Sequence, residues 1–134
     1  EVTVQLPLRY GSLTSGLGMV LLVEDKDDLR VQTREMLRAM GHVVLETDNA
    51  EEALVLSQVP GISHVLSDIM LGDGMTGLDM ARALLDTGIN VPVIMMTGLP
   101  ADDPIRQQAE AQFPLVNKPF AEAQLAEKFD EVQA

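Results

Sequence analysis

Five polar side chains in this chain of 134 residues sit at the carboxyl ends of short aliphatic runs. Glu24 and Asp25 follow the run at 19–23, and Asp68 closes the run that starts at His64. Thr97 follows 91–96, and Lys118 follows 115–117. Each alone has an ordinary reading. Glu24 and Asp25 suit a loop leading into a helix, where acids favour the positive end of the helix dipole. Thr97 before Gly98 suits a turn, and Lys118 suits a surface. Together they describe a site. Carboxylates held close to one another repel, and one is driven toward its neutral form unless a cation compensates. Lys118 is one such cation. A divalent metal is the other, and a few hard oxygen donors suit Mg²⁺, which keeps part of its hydration shell.

The elements that must bring these residues together are legible in the hydrophobic periodicity. Residues 19–23 form a continuous aliphatic run, as expected of a strand buried on both faces. Asp27 is placed to cap a helix with Leu29, Thr33, Met36, Leu37 and Met40 on one face, stopped by Gly41. Residues 43–46 read as a second strand. Asn49 with Glu52 has the spacing of a capping box for a helix through Ala53 and Leu56, ending at Pro60-Gly61. Residues 64–69 read as a third strand. Thr76 with Asp79 opens a helix carrying Leu78, Ala81, Leu84 and Leu85, ended by Gly88. A fourth strand is expected over 91–96. A fourth helix starts at Pro104, its inner face formed by Ile105, Ala109 and Phe113. A short strand over 115–117 and a helix with Leu125, Phe129 and Val132 inward complete five strand–helix units. Such alternation predicts an α/β fold, a parallel sheet with helices on both faces. Ligands of open α/β sheets bind beyond the carboxyl ends of the strands, where the five polar residues lie.

Composition narrows the function. Hydrophobic residues make up 46% of the chain, enough for a core, and the low aromatic content of 3% leaves that core to aliphatics, Met and Ala. The formal charge of −12 argues against direct binding of nucleic acid, since no basic face is available to displace counterions from phosphates. No cysteine is present, which excludes disulfides and thiol chemistry. No apolar run reaches the length of a membrane span. Residues 1–18 differ from the rest: Val2, Val4, Leu6 and Leu8 alternate with polar residues like a half-buried strand, and Arg9 to Gly18 reads as a linker. We expect 1–18 to be the tail of a preceding domain plus linker, and 19–134 to be the site-bearing domain.

The segments Val20-Leu-Leu-Val-Glu24-Asp25, Val65-Leu-Ser-Asp68, Met96-Thr97-Gly98 and Asn117-Lys118-Pro119-Phe120 together resemble the receiver domain of two-component response regulators. The resemblance runs from Met19 to about Gln133. It implies a flavodoxin-like, doubly wound five-stranded sheet of order 2-1-3-4-5. It implies that Asp68 accepts a phosphoryl group from a phosphohistidine, with Thr97 and Lys118 contacting the phosphoryl oxygens. Mg²⁺ would be held by Asp25, Asp68 and the Met70 carbonyl, with Glu24 acting through a water, and Lys118-Pro119 would be cis. The residues two after the phosphoacceptor and two after the Thr, here Met70 and Leu99, would face the water that hydrolyses the acyl phosphate.

The loop Leu71-Gly-Asp-Gly-Met-Thr-Gly77 is similar to the lengthened loop of receivers fused to histidine kinases, and Val2–Leu8 resembles the closing strand of a kinase ATP-binding domain. The resemblance therefore implies the C-terminal receiver of a hybrid sensor histidine kinase. Its partner would be a histidine kinase or a histidine phosphotransfer domain, its location cytoplasmic, and the fragment no independent enzyme. Leu115 stands where many receivers carry an aromatic switch residue, and Asp73 adds a carboxylate to the loop. His42 and His64 flank strands and do not suit phosphohistidine donors, which need exposure on a helix. A non-phosphorylated pseudo-receiver that only docks is the alternative. Met70 counts against a phosphatase of the haloacid dehalogenase type, a family that needs a second Asp two residues after the first.

Overall fold

The computed structural model describes residues 18–133. The strand expected at 2–8 and all of the linker except Gly18 lie outside the described residues. Five strands and five helices alternate: β1 (Met19–Val23), α1 (Asp27–Ala39), β2 (Val43–Thr47), α2 (Ala50–Leu56), β3 (Ile62–Asp68), α3 (Gly77–Asp86), β4 (Val93–Thr97), α4 (Pro104–Gln112), β5 (Leu115–Asn117) and α5 (Glu122–Gln133). The strands are parallel and ordered β2-β1-β3-β4-β5, the flavodoxin-like arrangement expected. β3 starts two residues earlier than the hydrophobic run indicates, because Ile62 already pairs with Met19. β4 starts two residues later. Pro92 lacks an N–H and contributes only its carbonyl, which accepts the amide of Val65.

Side chains alternate across the sheet and so fill two cores. Val20, Leu22, Leu66, Ile94, Met96 and Val116 pack beneath α1 and α5, meeting Leu37, Leu125 and Phe129. Leu21, Val23, Val65 and Met95 point the other way, against Ala50 and Ala53 of α2, Leu78 and Leu84 of α3, and Ala109 of α4. Two-sided burial is why β1 and β4 read as near-continuous aliphatic runs.

The helix starts differ in detail from the expected caps. Thr76 accepts the Asp79 amide and Asp103 accepts those of Ile105 and Arg106, with Pro104 in the first turn as expected. The cap of α1 is not Asp27. Lys26 takes the extended N-cap conformation without a side-chain cap bond, and Asp27 is the first helical residue, paired to Arg30 at 2.7 Å. The capping box of α2 forms by half. Asn49 accepts the Glu52 amide at 2.7 Å, but the Glu52 carboxylate accepts the Thr47 hydroxyl instead of reaching back to the Asn49 amide.

The two histidines are core residues at the amino-terminal edge of the sheet. The rings of His64 and Phe129 stack at 4.6 Å, and His42 lies 5.1 Å from Phe129. Burial lowers the His42 imidazole, and burial with the adjacent His42 pushes His64 down to about 4. The unfolded chain therefore binds protons near pH 6.5 that the native chain refuses, and stability contributed by neutral His64 is lost as pH falls from 6.5 toward 4. Between pH 6.5 and 5 this amounts to as much as about 2 kcal/mol. Thermal melting at pH 7 and pH 5 should show His64→Leu gaining on the wild type as the pH drops. A wild-type-to-variant difference that is the same at both pH values would refute the assignment.

Candidate functional site

Glu24 directly follows β1 and is fully buried, and its amide extends the pairing by donating to the Thr47 carbonyl of β2. Asp68 is the last residue of the central strand β3 and is 8% exposed. Thr97 ends β4, and its carbonyl accepts the Lys118 amide at 2.8 Å, which sets β5 in register and aims Lys118 across the strand ends. The Lys118–Pro119 peptide is cis, as expected.

The Lys118 ammonium bridges the two buried carboxylates. Its Nζ donates to Glu24 Oε1 at 2.6 Å and to Asp68 Oδ2 at 2.7 Å. Glu24 Oε2 accepts the Lys26 amide at 3.3 Å, so both of its oxygens are engaged. Burial pushes the Glu24 carboxyl up. The Lys118 hydrogen bond opposes this, while the Asp68 charge adds to it. Burial works against the Lys118 charge, but its bonds to Asp68 and Glu24 prevail and hold the ammonium above its ordinary value.

Oxygens of Glu24, Asp25 and Asp68 lie within 4.8 Å of one another. One polar atom among them is orphaned: Asp25 Oδ1 is buried without a hydrogen-bond partner. Buried polar atoms are nearly always satisfied, so an orphan carboxylate oxygen beside two more carboxylates is what a hard divalent cation would complete. Lys118 alone does not balance the charge of three acids. The donor set thus fits Mg²⁺.

The loop after Asp68 closes the site from the side. The Met70 amide lies 3.4 Å from Asp68 Oδ1, while the Met70 side chain is 42% exposed. Gly72 adopts a φ of +70° and passes Asp25 so closely that a Cβ there would stand 3.2 Å from its Oδ2. Further along, the Met75 amide donates to Glu51 Oε2 at 3.1 Å, so α2 clasps the lengthened loop. Asp73 is exposed. Across the cleft, Thr97 Oγ1 accepts the Leu99 amide at 3.0 Å, and the Leu99 side chain packs partly into the core.

All five strand-end residues singled out from the sequence are therefore placed around one cleft. The Glu51 clasp and the contacts of Arg106 were not expected, since neither follows an aliphatic run or belongs to a motif.

The sequence model described as "Response regulator receiver domain" matches residues 20–130. The chain belongs to the response regulator receiver family. Among curated relatives, this receiver domain is 34% identical over 115 residues to the sensor kinase CckA of Brucella abortus, covering 84% of the chain but 12% of that protein. It is 35% identical over 103 residues to the cell cycle transcriptional regulator CtrA of Caulobacter vibrioides, covering 75% of the chain and 44% of the regulator. The receiver thus spans less than half the length of each. Among solved structures, it is 31% identical to the signal receiver domain of a modulated diguanylate cyclase from Desulfovibrio desulfuricans, with a TM-score of 0.74 over 87% of this chain and 93% of that one. The receiver domain of a sensor histidine kinase from Pseudomonas aeruginosa, solved with a magnesium ion in its active-site cleft, is 24% identical with a TM-score of 0.77 over 86% of this chain and 96% of that one. This chain is accordingly a module of two-component signalling, in which receivers interact with histidine kinases or phosphotransfer proteins. No helix among the described residues is long and apolar enough to cross a membrane.

Proposed function

We propose that this receiver takes a phosphoryl group from a phosphohistidine onto Asp68. The observation that carries the reading is the Lys118 ammonium bridging Asp68 and buried Glu24, beside the orphaned oxygen of Asp25. A carboxylate oxygen of Asp68 attacks phosphorus as the P–N bond to the donor imidazole breaks, and the imidazole leaves with its bonding pair. Phosphoryl transfer has a loose transition state, so the protein mainly positions and neutralises. Lys118 moves from the carboxylate toward a phosphoryl oxygen, and the Thr97 hydroxyl donates to another. Glu24 keeps Lys118 oriented through the transfer. Asp25 and Asp68, the Met70 carbonyl, and Glu24 through a water would hold Mg²⁺, which when bound neutralises phosphoryl oxygens.

The lengthened loop from Leu71 to Gly77 and the similarity to a sensor kinase support placing this receiver at the C-terminal end of a hybrid sensor histidine kinase, with 1–18 as the preceding domain's tail and linker. A cytoplasmic position, and a histidine kinase or histidine phosphotransfer domain as partner, follow from that placement.

Incubation with a small acyl phosphate donor and Mg²⁺, read by intact mass, tests the reading. One phosphate adduct is expected in the wild type and none in Asp68→Asn or after chelation. Mg²⁺ alone should raise the melting temperature of the wild type, by binding the native state, and leave Asp25→Ala unmoved. No adduct from any donor would overturn the proposal and leave a docking module.

A further inference from the structure

Helix α4 buries an arginine, which no other described helix does. Its buried residues are Arg106 and Ala109, with Ile105 partly buried against the core. Polar side chains tie both of its ends. At the far end Arg82 of α3 donates to Gln112 Oε1 at 2.7 Å. At the near end the guanidinium of Arg106, 9% exposed, donates from Nη1 to the Leu99 carbonyl at 2.6 Å. Leu99 is also the residue whose amide donates to Thr97 Oγ1. Leu99 is therefore held from both sides, its amide by the Thr97 hydroxyl and its carbonyl by Arg106.

The guanidinium is only partly satisfied where it sits. Arg106 Nε is buried without a hydrogen-bond partner, although it lies 3.4 Å from Glu110 Oε1. The two groups are an ion pair without hydrogen-bond geometry, and a buried donor lacking a hydrogen bond is costly, so a small shift that aligned Nε with Glu110, one turn along the same helix, would be favourable. Releasing the Leu99 carbonyl would let Nε close on Glu110. Beyond Arg106 and Glu110 the surface opens into a groove of about 310 Å³ lined also by Phe113, Leu115, Asn117 and Lys128.

We propose that Arg106 is a positioning residue that couples the Thr97 hydroxyl to α4. When Thr97 turns its hydroxyl toward a group on Asp68, the Leu99 amide loses its acceptor and Leu99 shifts, taking its carbonyl with it. Arg106 then follows or releases the carbonyl, and the first turn of α4 moves with it, reshaping the groove. Leu115 lines that groove without a polar atom of its own, so the signal enters through the arginine. The phosphate-driven half of this proposal rests on Asp68 as phosphoacceptor; the coupling itself does not.

The amide resonances of residues 105–112 provide the test. Thr97→Val removes the hydroxyl while keeping the side-chain shape, and should shift those resonances without any phosphate. In an Arg106→Met background the same Thr97→Val shift should be at least threefold smaller, and Arg106→Lys, which keeps one charged donor, should restore part of it. If Arg106→Met does not fold, Arg106→Gln replaces it. An equal α4 response in both backgrounds, or no α4 response to Thr97→Val, overturns the coupling. With the acyl phosphate donor and Mg²⁺, the α4 shift per phosphorylated molecule, counted by intact mass, should fall by a similar factor in Arg106→Met, and an undiminished shift overturns the phosphate-driven half. Should the wild type take no phosphate, the Asp68 reading fails, while the Thr97→Val comparison still decides the role of Arg106.

Discussion

Gly77→Ala is expected to destabilise the fold by about 3 kcal/mol or more and to cut phosphate uptake at least tenfold. Gly77 opens α3 directly behind the site, and its amide donates to the Ile69 carbonyl at 2.7 Å. A Cβ at this position would stand 1.8 Å from the carbonyl oxygen of Asp68 and 2.9 Å from Ser67 Oγ. The first of these is backbone at the end of the central strand and has no rotamer to escape into. Either α3 withdraws, opening the core where Leu78 and Ala81 pack, or the carbonyl of Asp68 yields and its carboxylate turns away from Lys118. Gly88→Ala is the control. There φ is +81° with open space around the Cβ, so only the left-handed backbone is penalised, by about 1 kcal/mol. Urea unfolding should separate the two variants by a wide margin, and equal midpoints would contradict the close contact.

Once formed, the acyl phosphate on Asp68 should be long-lived, and Met70→Asn/Leu99→Glu should shorten its half-life by at least about tenfold, less than the roughly hundredfold or more that an optimally placed acid–base group supplies. Hydrolysis needs a water held in line with the carboxylate oxygen that leaves. The side chains that would flank that path are a half-exposed Met70 and a Leu99 drawn partly into the core, neither able to accept a proton or orient the water. Asp73 is the one carboxylate of the lengthened loop, and it is exposed. The loop around it is fixed by the bond from the Met75 amide to Glu51, which disfavours a swing inward. Phosphate loss followed by intact mass reads both halves. A half-life unchanged or lengthened in the double variant would falsify the shielding argument. Faster loss in the wild type than in Asp73→Asn would assign the water to Asp73.

The residues that the sequence made legible share one property: each stands at the carboxyl end of a short, mostly aliphatic run. Such runs are read from neighbours a few positions away, and strand ends of a parallel sheet converge by topology, so Asp68, Thr97 and Lys118 could be brought together on paper. The cap of α3 by Thr76 was readable for the same local reason. The cap of α1 was not, since Asp27 and Lys26 differ by one position and the buried Glu24, by accepting the Lys26 amide, decides where the chain turns. Glu52 fits a capping box by spacing, yet the Thr47 hydroxyl on the adjacent strand claims its carboxylate. Gly77, Glu51 and Arg106 were illegible because each acts on backbone atoms of another segment. Such contacts depend on how closely segments pass and not on residue spacing.

The bond between Glu24 and Lys118 joins residues 94 positions apart, the first strand to the last. During synthesis this has a consequence for timing. A nascent chain that has not yet delivered residue 118 holds Glu24 and Asp68 with no ammonium between them, and their mutual repulsion opposes burying Glu24. The strands β1 to β4 can collapse early, but the acidic end of the sheet stays wet and splayed until β5 docks. The charge balance at the strand ends is thus complete only once β5 has docked, and the first four strands cannot supply it by themselves.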